Sequence, residues 1–132
     1  MSFINPHDIC LPAGETSPLL DELWQRYQPP AGAELPPLPA NFGYTQNAPE
    51  GFSRKVLHVK WDENQWRRYI YAYYRMMEDV DRQVGQVLQV LRQTGQEENT
   101  IIVFTSDHGE GLGSHRWTGK MMYYEEEAAV PL

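Results

Sequence analysis

The stretch NTIIVFTSDHGEGLGSH, residues 99–115, decides how this chain is interpreted. Residues 100–105 form an unbroken run of β-branched and aromatic side chains, which is the composition of a strand buried on both faces of a parallel sheet. Polar residues and glycines follow at once, with Asp107 and His108 first among the candidate ligands. Because ligands of open α/β sheets bind at the carboxyl ends of strands, the pattern predicts a binding site there.

A long helix is predicted directly before this strand. Asp62 and Gln65 form a capping-box pattern, and apolar residues then recur every three or four positions over residues 66–91. Gly95 is a natural stop, so the helix should run from Asp62 to about Thr94. A helix followed by a buried strand is one unit of a parallel sheet, which predicts an α/β fold.

Residues 1–60 differ in composition, because prolines and glycines recur there. Pro-Pro pairs at 29–30 and 36–37 exclude a long helix, although a short one is expected near residues 18–27. The aromatic residues of this part disfavour the alternative, a disordered linker. We therefore expect an irregular Pro-rich segment over residues 1–60 and a unit of helix, strand and metal-binding loop over residues 61–132.

The overall composition excludes some functions. The net charge of −7 argues against nucleic acid and anionic membranes as partners. No apolar run reaches membrane-spanning length, and the first residues lack the pattern of a signal peptide, so the compartment stays unknown. A single cysteine allows no disulfide within the chain.

The residues after the strand indicate a particular chemistry. Asp107 and His108 are neighbouring oxygen and nitrogen donors, suitable as metal ligands. The alternative is an Asx turn with a surface histidine. His115, Arg116 and Lys120 bring imidazole and positive charge within a dozen residues, which suits an anionic ester whose charge grows in the transition state.

Several motifs together resemble the sulfatases of the alkaline phosphatase superfamily, in the order in which that family has them. They are YRMMEDVDRQVG at 74–85, NTIIVFTSDHG at 99–109, LGSH at 112–115, Lys120, YEE at 124–126 and VPL at 130–132. A shorter match is NPHD at 5–8. The resemblance covers roughly residues 60–132. It implies the C-terminal part of a catalytic domain, with a partial alkaline-phosphatase-like fold.

The resemblance also implies roles for individual residues. Asp107 and His108 would hold a divalent cation, with Ca²⁺ as the first choice and Mn²⁺ or Mg²⁺ as alternatives. Lys120 would contact the sulfate oxygens as a catalytic and substrate-binding residue, and His115 would line the same pocket. His7 would donate a proton to the leaving-group oxygen, as an imidazole with a pKa near neutrality can.

One part of the sulfatase site is absent from residues 1–132. The family uses a formylglycine made from Cys or Ser in a Cys/Ser-x-Pro-x-Arg motif. Cys10 has Pro12 two residues later but Gly14 at the arginine position, so it is rejected as the nucleophile. The formylglycine is expected in an N-terminal part outside this chain, and the isolated chain is expected to be inactive.

Alternative functions stay open at this point. The chain could be one subunit of a split sulfatase, a non-catalytic module that binds sulfated glycans, or a relative of the phosphonate and phosphodiester hydrolases. The expected partner is a sulfate ester or sulfated glycan. An open sheet edge also predicts self-association or pairing with a missing N-terminal half.

Overall fold

The computed structural model describes residues 6–10, 18–44, 59–120 and 122–131. Three α-helices lie in these ranges: α1 (Pro18–Arg26), α2 (Glu63–Gln93) and α3 (Glu125–Ala128). Short 3₁₀ turns are formed by His7–Cys10, Glu97–Asn99 and Ser114–Arg116. The helix expected near residues 18–27 is therefore present as α1.

Both ends of α2 follow from local sequence, and its predicted bounds are confirmed. The Asp62 carboxylate accepts from the Gln65 backbone N–H at 2.8 Å, and the Gln65 side chain accepts from the Asp62 N–H at 2.9 Å. At the other end Gly95 takes a φ of 69°, and Gln96 N–H donates to the Leu91 carbonyl at 3.1 Å. These contacts satisfy backbone groups that a helix end otherwise leaves unpaired.

The core lies on the first half of α2. Tyr69, Ala72 and Met76 are buried there and pack with Ile9 from the first 3₁₀ turn. Partly buried hydrophobic side chains from α2 itself and from other parts of the chain complete the cluster, namely Leu23, Tyr27, Trp61, Tyr73 and Leu112. Residues that are more than 100 positions apart therefore meet on one face of a single helix.

The Pro-rich segment is held against α2 by specific contacts. Arg67 donates from Nε to the Pro36 carbonyl at 2.8 Å and from a guanidinium nitrogen to the Leu35 carbonyl. The ring of Phe42 meets that of Trp66 edge to face, with centroids 5.5 Å apart. Although irregular, residues 27–44 thus form part of the packed structure.

The predicted buried strand over residues 100–105 is not formed. Ile101 is 92% exposed, Val103 73% and Phe104 60%. None of the described residues pairs with this run, and the described part of the chain contains helices but no strands. A strand needs a neighbour to take its N–H and C=O groups and further elements to cover its faces. The α/β expectation therefore fails for the described residues, which are mostly helical.

In the part of the chain that the structure describes, no helix is both long and apolar enough to cross a bilayer.

Candidate active site

The segment after residue 106 turns back on itself. Backbone N–H groups of Gly109, Gly111 and Gly113 donate to the carbonyls of Glu127, Gly119 and Trp117, at 2.7, 2.9 and 2.8 Å. These hydrogen bonds bring residues 117–127 back beside residues 109–113. Lys120, one residue past Gly119, consequently returns to the neighbourhood of residues 107–110.

Two glycines in this loop have no room for a side chain. A Cβ on Gly109 would overlap the Glu126 carbonyl oxygen, and a Cβ on Gly111 would overlap the ring of Trp117. Trp117 is buried, so its ring cannot move aside freely. The glycines therefore permit the close backbone approach that brings the two arms of the loop together.

The exposed Asp107 and the half-buried His108 form a pair at the start of the loop. The Asp107 side chain is 85% exposed, and its Oδ2 lies 3.5 Å from His108 Nε2. The other ring nitrogen, Nδ1, lies 2.9 Å from the Gly109 carbonyl oxygen, to which only a protonated nitrogen can donate. In the neutral imidazole Nε2 is then the bare nitrogen, on the side that faces the carboxylate.

This arrangement fits a pair of metal ligands. An oxygen and a nitrogen donor about 3–4 Å apart can occupy adjacent positions around one cation whose bonds are about 2.0–2.5 Å long. The backbone contact of His108 is the type of outer partner that orients a ligating imidazole. Two donors are still few: among the described residues no group of three or more His, Cys, Asp or Glu side chains could hold an ion.

Lys120 is close enough to act electrostatically on the pair. The pKa of the Asp107 carboxyl lies below its ordinary value, chiefly because of the charge of His108, with a smaller contribution from Lys120. The charge of Lys120 also opposes the rise in pKa that burial causes at the Glu110 carboxyl. Lys120 follows Gly119, whose backbone contacts Glu110 and Gly111, so its charge acts within reach of Asp107 and His108.

Glu110 is a member of this neighbourhood that the sequence analysis missed. Its Oε1 accepts from the Tyr69 hydroxyl at 3.0 Å and from the Gly119 N–H. Burial raises the pKa of its carboxyl, although these hydrogen bonds and the charges of Lys120 and His108 oppose the rise. Burial and the Glu110 charge raise the pKa of Tyr73 to about 12. No sequence spacing links Glu110 to α2, so only its position in a glycine-rich loop could have marked it.

His115 is part of a second network of contacts within the loop. Its Nδ1 is 2.6 Å from the Tyr44 carbonyl oxygen, and its Nε2 is 3.3 Å from Asn41 Nδ2. The ring stacks on Tyr124 with centroids 4.4 Å apart. Asn41 also donates to Glu126 at 2.6 Å. Both ring nitrogens of His115 therefore already contact groups of this chain.

Glu126 completes that network as an anion. Burial alone would raise the pKa of its carboxyl, but hydrogen bonds from its own backbone and from Asn41, with the charge of His115, lower it. The carboxylate oxygen lies 4.0 Å from His115 Nε2. Asn41 and Glu126 are 85 positions apart in the chain, so their contact could not be predicted from spacing.

His7 begins the first 3₁₀ turn and is exposed. Two residues later, Ile9 packs in the cluster that also includes Leu112 of the glycine-rich loop. The core thus attaches the His7 turn and the loop to the same helix.

Comparison with known proteins identifies the family to which this geometry belongs. The sulfatase family model matches residues 2–132. The chain is 34% identical over 139 residues to a Δ4,5-hexuronate-2-O-sulfatase of Bacteroides thetaiotaomicron, a match covering 98% of this chain and 28% of that protein. It is also 41% identical over 71 residues to a multifunctional alkaline phosphatase superfamily protein of Trinickia caryophylli, covering 54% and 14% of the two chains.

The structural comparison agrees with the sequence comparison. A crystal structure described as a putative sulfatase from Bacteroides thetaiotaomicron matches with a TM-score of 0.74 and 33% identity, over 96% of this chain and 28% of that one. The described fold is thus shared with part of an alkaline-phosphatase-like sulfatase, and the chain spans about a quarter of the length of such relatives. This chain belongs to the sulfatase family of hydrolases.

Proposed function

We propose that this chain contributes the cation-binding and sulfate-binding part of a site that hydrolyses sulfate esters. The observation that carries the proposal is the pairing of Asp107 Oδ2 with His108 Nε2 at 3.5 Å, with Nδ1 turned toward the Gly109 carbonyl. That pairing lies in a chain of the sulfatase family and beside a lysine.

Asp107 and His108 are the proposed ligands of a divalent cation, with Ca²⁺ as the first choice and Mn²⁺ or Mg²⁺ as alternatives. When bound, such a cation polarises an ester oxygen and stabilises developing negative charge. Because Ca²⁺ prefers six to eight oxygen ligands, two donors alone should bind it weakly. Further ligands would be needed to complete the coordination of such a cation.

The other residues act on the ester itself. The Lys120 ammonium offers three N–H donors to the sulfate oxygens, and His115 lines the same pocket. His7 in its protonated form donates a proton to the departing alcohol oxygen. None of these groups is the formylglycine that attacks sulfur in the family, so we expect the isolated chain to be inactive.

The proposed substrate class is a sulfated glycan. Support comes from the relative whose name specifies sulfate on the 2-oxygen of an unsaturated hexuronate. With a net charge of −7, the chain must attract such a polyanion through local cations, and the charge of Lys120 acts on the proposed ligand Asp107.

A second candidate is hydrolysis of phosphonates or phosphodiesters. It is favoured by the pairing of aspartate with histidine at positions 107–108, where most sulfatases have asparagine after the aspartate. The similarity to a multifunctional member of the superfamily points the same way. The cation in that case would be Mn²⁺.

The cation proposal can be tested on the 132-residue chain. Mn²⁺ should broaden the NMR signals of the His108 ring in the wild type, and Asp107→Ala should abolish the broadening. Asp81→Ala, which removes an exposed carboxylate on α2, is the matched control and should leave it unchanged. Equal broadening in the wild type and Asp107→Ala would contradict the proposed ligand pair.

Activity distinguishes the remaining alternatives. With an aryl sulfate and Ca²⁺ or Mn²⁺, we expect no turnover above background. Metal-dependent turnover that disappears in Asp107→Ala would show that the chain holds a complete site and would refute the expected inactivity. Metal-independent binding of heparin that survives Asp107→Ala would instead support a glycan-binding module.

A further inference from the structure

We propose that Glu110 is a positioning residue that determines where Lys120 lies relative to Asp107 and His108. The inference rests on the proposed function for the importance of Lys120, but its structural part can be tested without it. Glu110 was not singled out by motif, and its role follows only from the contacts of its side chain.

Glu110 joins three separate parts of the molecule. Its Oε1 accepts a hydrogen bond from the hydroxyl of Tyr69, which is fully buried on α2. The same oxygen accepts from the backbone N–H of Gly119, the residue before Lys120. Glu110 itself is two residues after His108. One carboxylate oxygen thus connects the helix, the start of the loop and its returning arm.

The position of Gly119 is determined through both of its backbone polar groups, which belong to the peptide planes before and after it. Its carbonyl accepts from the Gly111 N–H at 2.9 Å, while its own N–H is bound by Glu110. Gly119 is buried and has a φ of +86°, so a non-glycine residue would be strained there. The backbone next to Lys120 is therefore held by two hydrogen bonds of different origin.

Removing the carboxylate should release one of these restraints. The Gly119 N–H and the Tyr69 hydroxyl would both lose a negatively charged acceptor, and hydrogen bonds to charged groups are among the stronger ones in proteins. Gly119 itself would then keep only its contact with Gly111, so the backbone beside Lys120 would be less restrained while the Gly113–Trp117 contact still holds the rest of the arm. Binding an anion between a cation and an ammonium group requires both to be held within fractions of an ångström, so Lys120 would bind sulfate less well.

A purely structural glutamate would behave differently. If Glu110 only stabilised the fold, its loss would lower the free energy of unfolding and raise exchange across the core, without altering the anion affinity of the folded molecules. A positioning role predicts faster amide exchange confined to Gly119 and Lys120. It also predicts that the folded chain binds sulfate less tightly.

The test compares Glu110→Ala and Glu110→Gln with the wild-type chain by NMR. Glu98→Ala, which removes an exposed carboxylate away from the loop, is the control. Amide hydrogen exchange at Gly119 reports the hydrogen bond, and titration with inorganic sulfate, followed by the Lys120 signals, reports the consequence. Thermal unfolding of each variant shows that the measurements concern folded protein.

In Glu110→Ala we expect Gly119 exchange to accelerate about tenfold and sulfate affinity to fall about tenfold, the effect of one charge-assisted hydrogen bond. Glutamine keeps an oxygen acceptor, so Glu110→Gln should change both quantities by less than about threefold. Glu98→Ala should change neither.

Unchanged Gly119 exchange in folded Glu110→Ala, or acceleration spread evenly over the core, would overturn the inference. So would wild-type sulfate affinity in that variant. If the wild-type chain itself does not bind sulfate, the proposed function loses its support, and the inference about Glu110 is then decided by Gly119 exchange alone.

Discussion

The first half of α2 and the run of residues 100–105 are both rich in large apolar side chains, but these side chains are buried on the helix and exposed in the run. Tyr69 and Trp66 on the helix are 0% and 2% exposed, whereas Ile101 is 92% exposed. The ring of Trp66 contacts those of Trp61, Phe42 and Tyr69, at centroid distances of 5.1, 5.5 and 6.3 Å. No comparable contact is made by residues 101–104 within the described part of the chain.

The difference shows what each kind of element requires. A helix satisfies its backbone hydrogen bonds within its own segment and needs partners only on one face. A strand takes its partners from elsewhere in the chain, and a strand of a parallel sheet must also be covered on both faces. Apolar composition therefore leads to burial only where the chain supplies those partners.

The largest difference in stability between the two regions should appear when one aromatic side chain in each is truncated. Trp66→Ala should lower the free energy of unfolding by about 3–5 kcal/mol, because it removes a buried ring and leaves a cavity. Phe104→Ala removes a ring that is 60% exposed and should cost less than about 0.5 kcal/mol. Urea unfolding followed by circular dichroism measures both. Similar losses in the two variants would show that residues 100–105 are packed in solution.

Alkaline pH should weaken the packed region through Tyr73. Its pKa is raised to about 12 in the folded chain, first by burial and then by the charge of Glu110. The unfolded chain loses this proton near pH 10, so its stabilising effect is complete below pH 10 and is lost as the pH rises through 12. Allowing for solvent screening of a partly exposed group, the loss should be at most about 2 kcal/mol.

Phenylalanine substitutions isolate this contribution. Between pH 10 and 12 the free energy of unfolding should fall less steeply in Tyr73→Phe than in the wild type. Tyr74→Phe, which alters a neighbouring tyrosine that is 46% exposed, should follow the wild-type slope. Identical slopes in all three proteins would mean that Tyr73 ionises at its ordinary pKa.

The exposed residues 100–105 should drive self-association of the chain, and added lysines within this run should oppose it. Unpaired strand-forming segments tend to pair with other chains, and lysines at such positions oppose this. The double variant Ile101→Lys with Val103→Lys should weaken association about tenfold or more in sedimentation experiments. The double variant Gln89→Lys with Gln93→Lys adds the same charge to exposed sites on α2 and should associate like the wild type. Association that falls equally in both would identify net charge as the cause.

The smallest effect on the free energy of unfolding concerns two glycines, one on α2 and one in the glycine-rich loop. Gly85 lies within α2, and a Cβ added there would meet no atom within 4 Å outside the adjacent backbone of its own helix, so Gly85→Ala should raise the free energy of unfolding by about 0.5–1 kcal/mol. Gly111→Ala should instead destabilise the chain, because the added carbon overlaps the Trp117 ring. Thermal unfolding compares them, and a stabilising Gly111→Ala would contradict the close approach described for the loop.

The candidate site could be predicted only in part. The dipeptide Asp107-His108 and the nearby Lys120 are visible in the sequence because short spacing and glycine-rich turns keep them together. Glu110 was missed, because the role proposed for its carboxylate depends on a hydrogen bond from Tyr69, which is 41 positions away in the chain. His115 was expected to line the pocket. The structure adds its contacts with Asn41 and Tyr44, about 70 positions earlier in the chain.

By itself the sequence determined α2, from the Asp62 cap to the Gly95 stop, and the family of the chain. The helix depends on residues that are close together in the chain and act through local geometry, and the family is marked by short motifs that occur in a fixed order. Tertiary structure alone decided which apolar residues are buried and that the Glu110 carboxylate contacts both α2 and the backbone beside Lys120. The physical reason is that burial and charge pairing depend on distance in space, and only the folded chain brings residues such as Ile9, Tyr69 and Leu112 into contact.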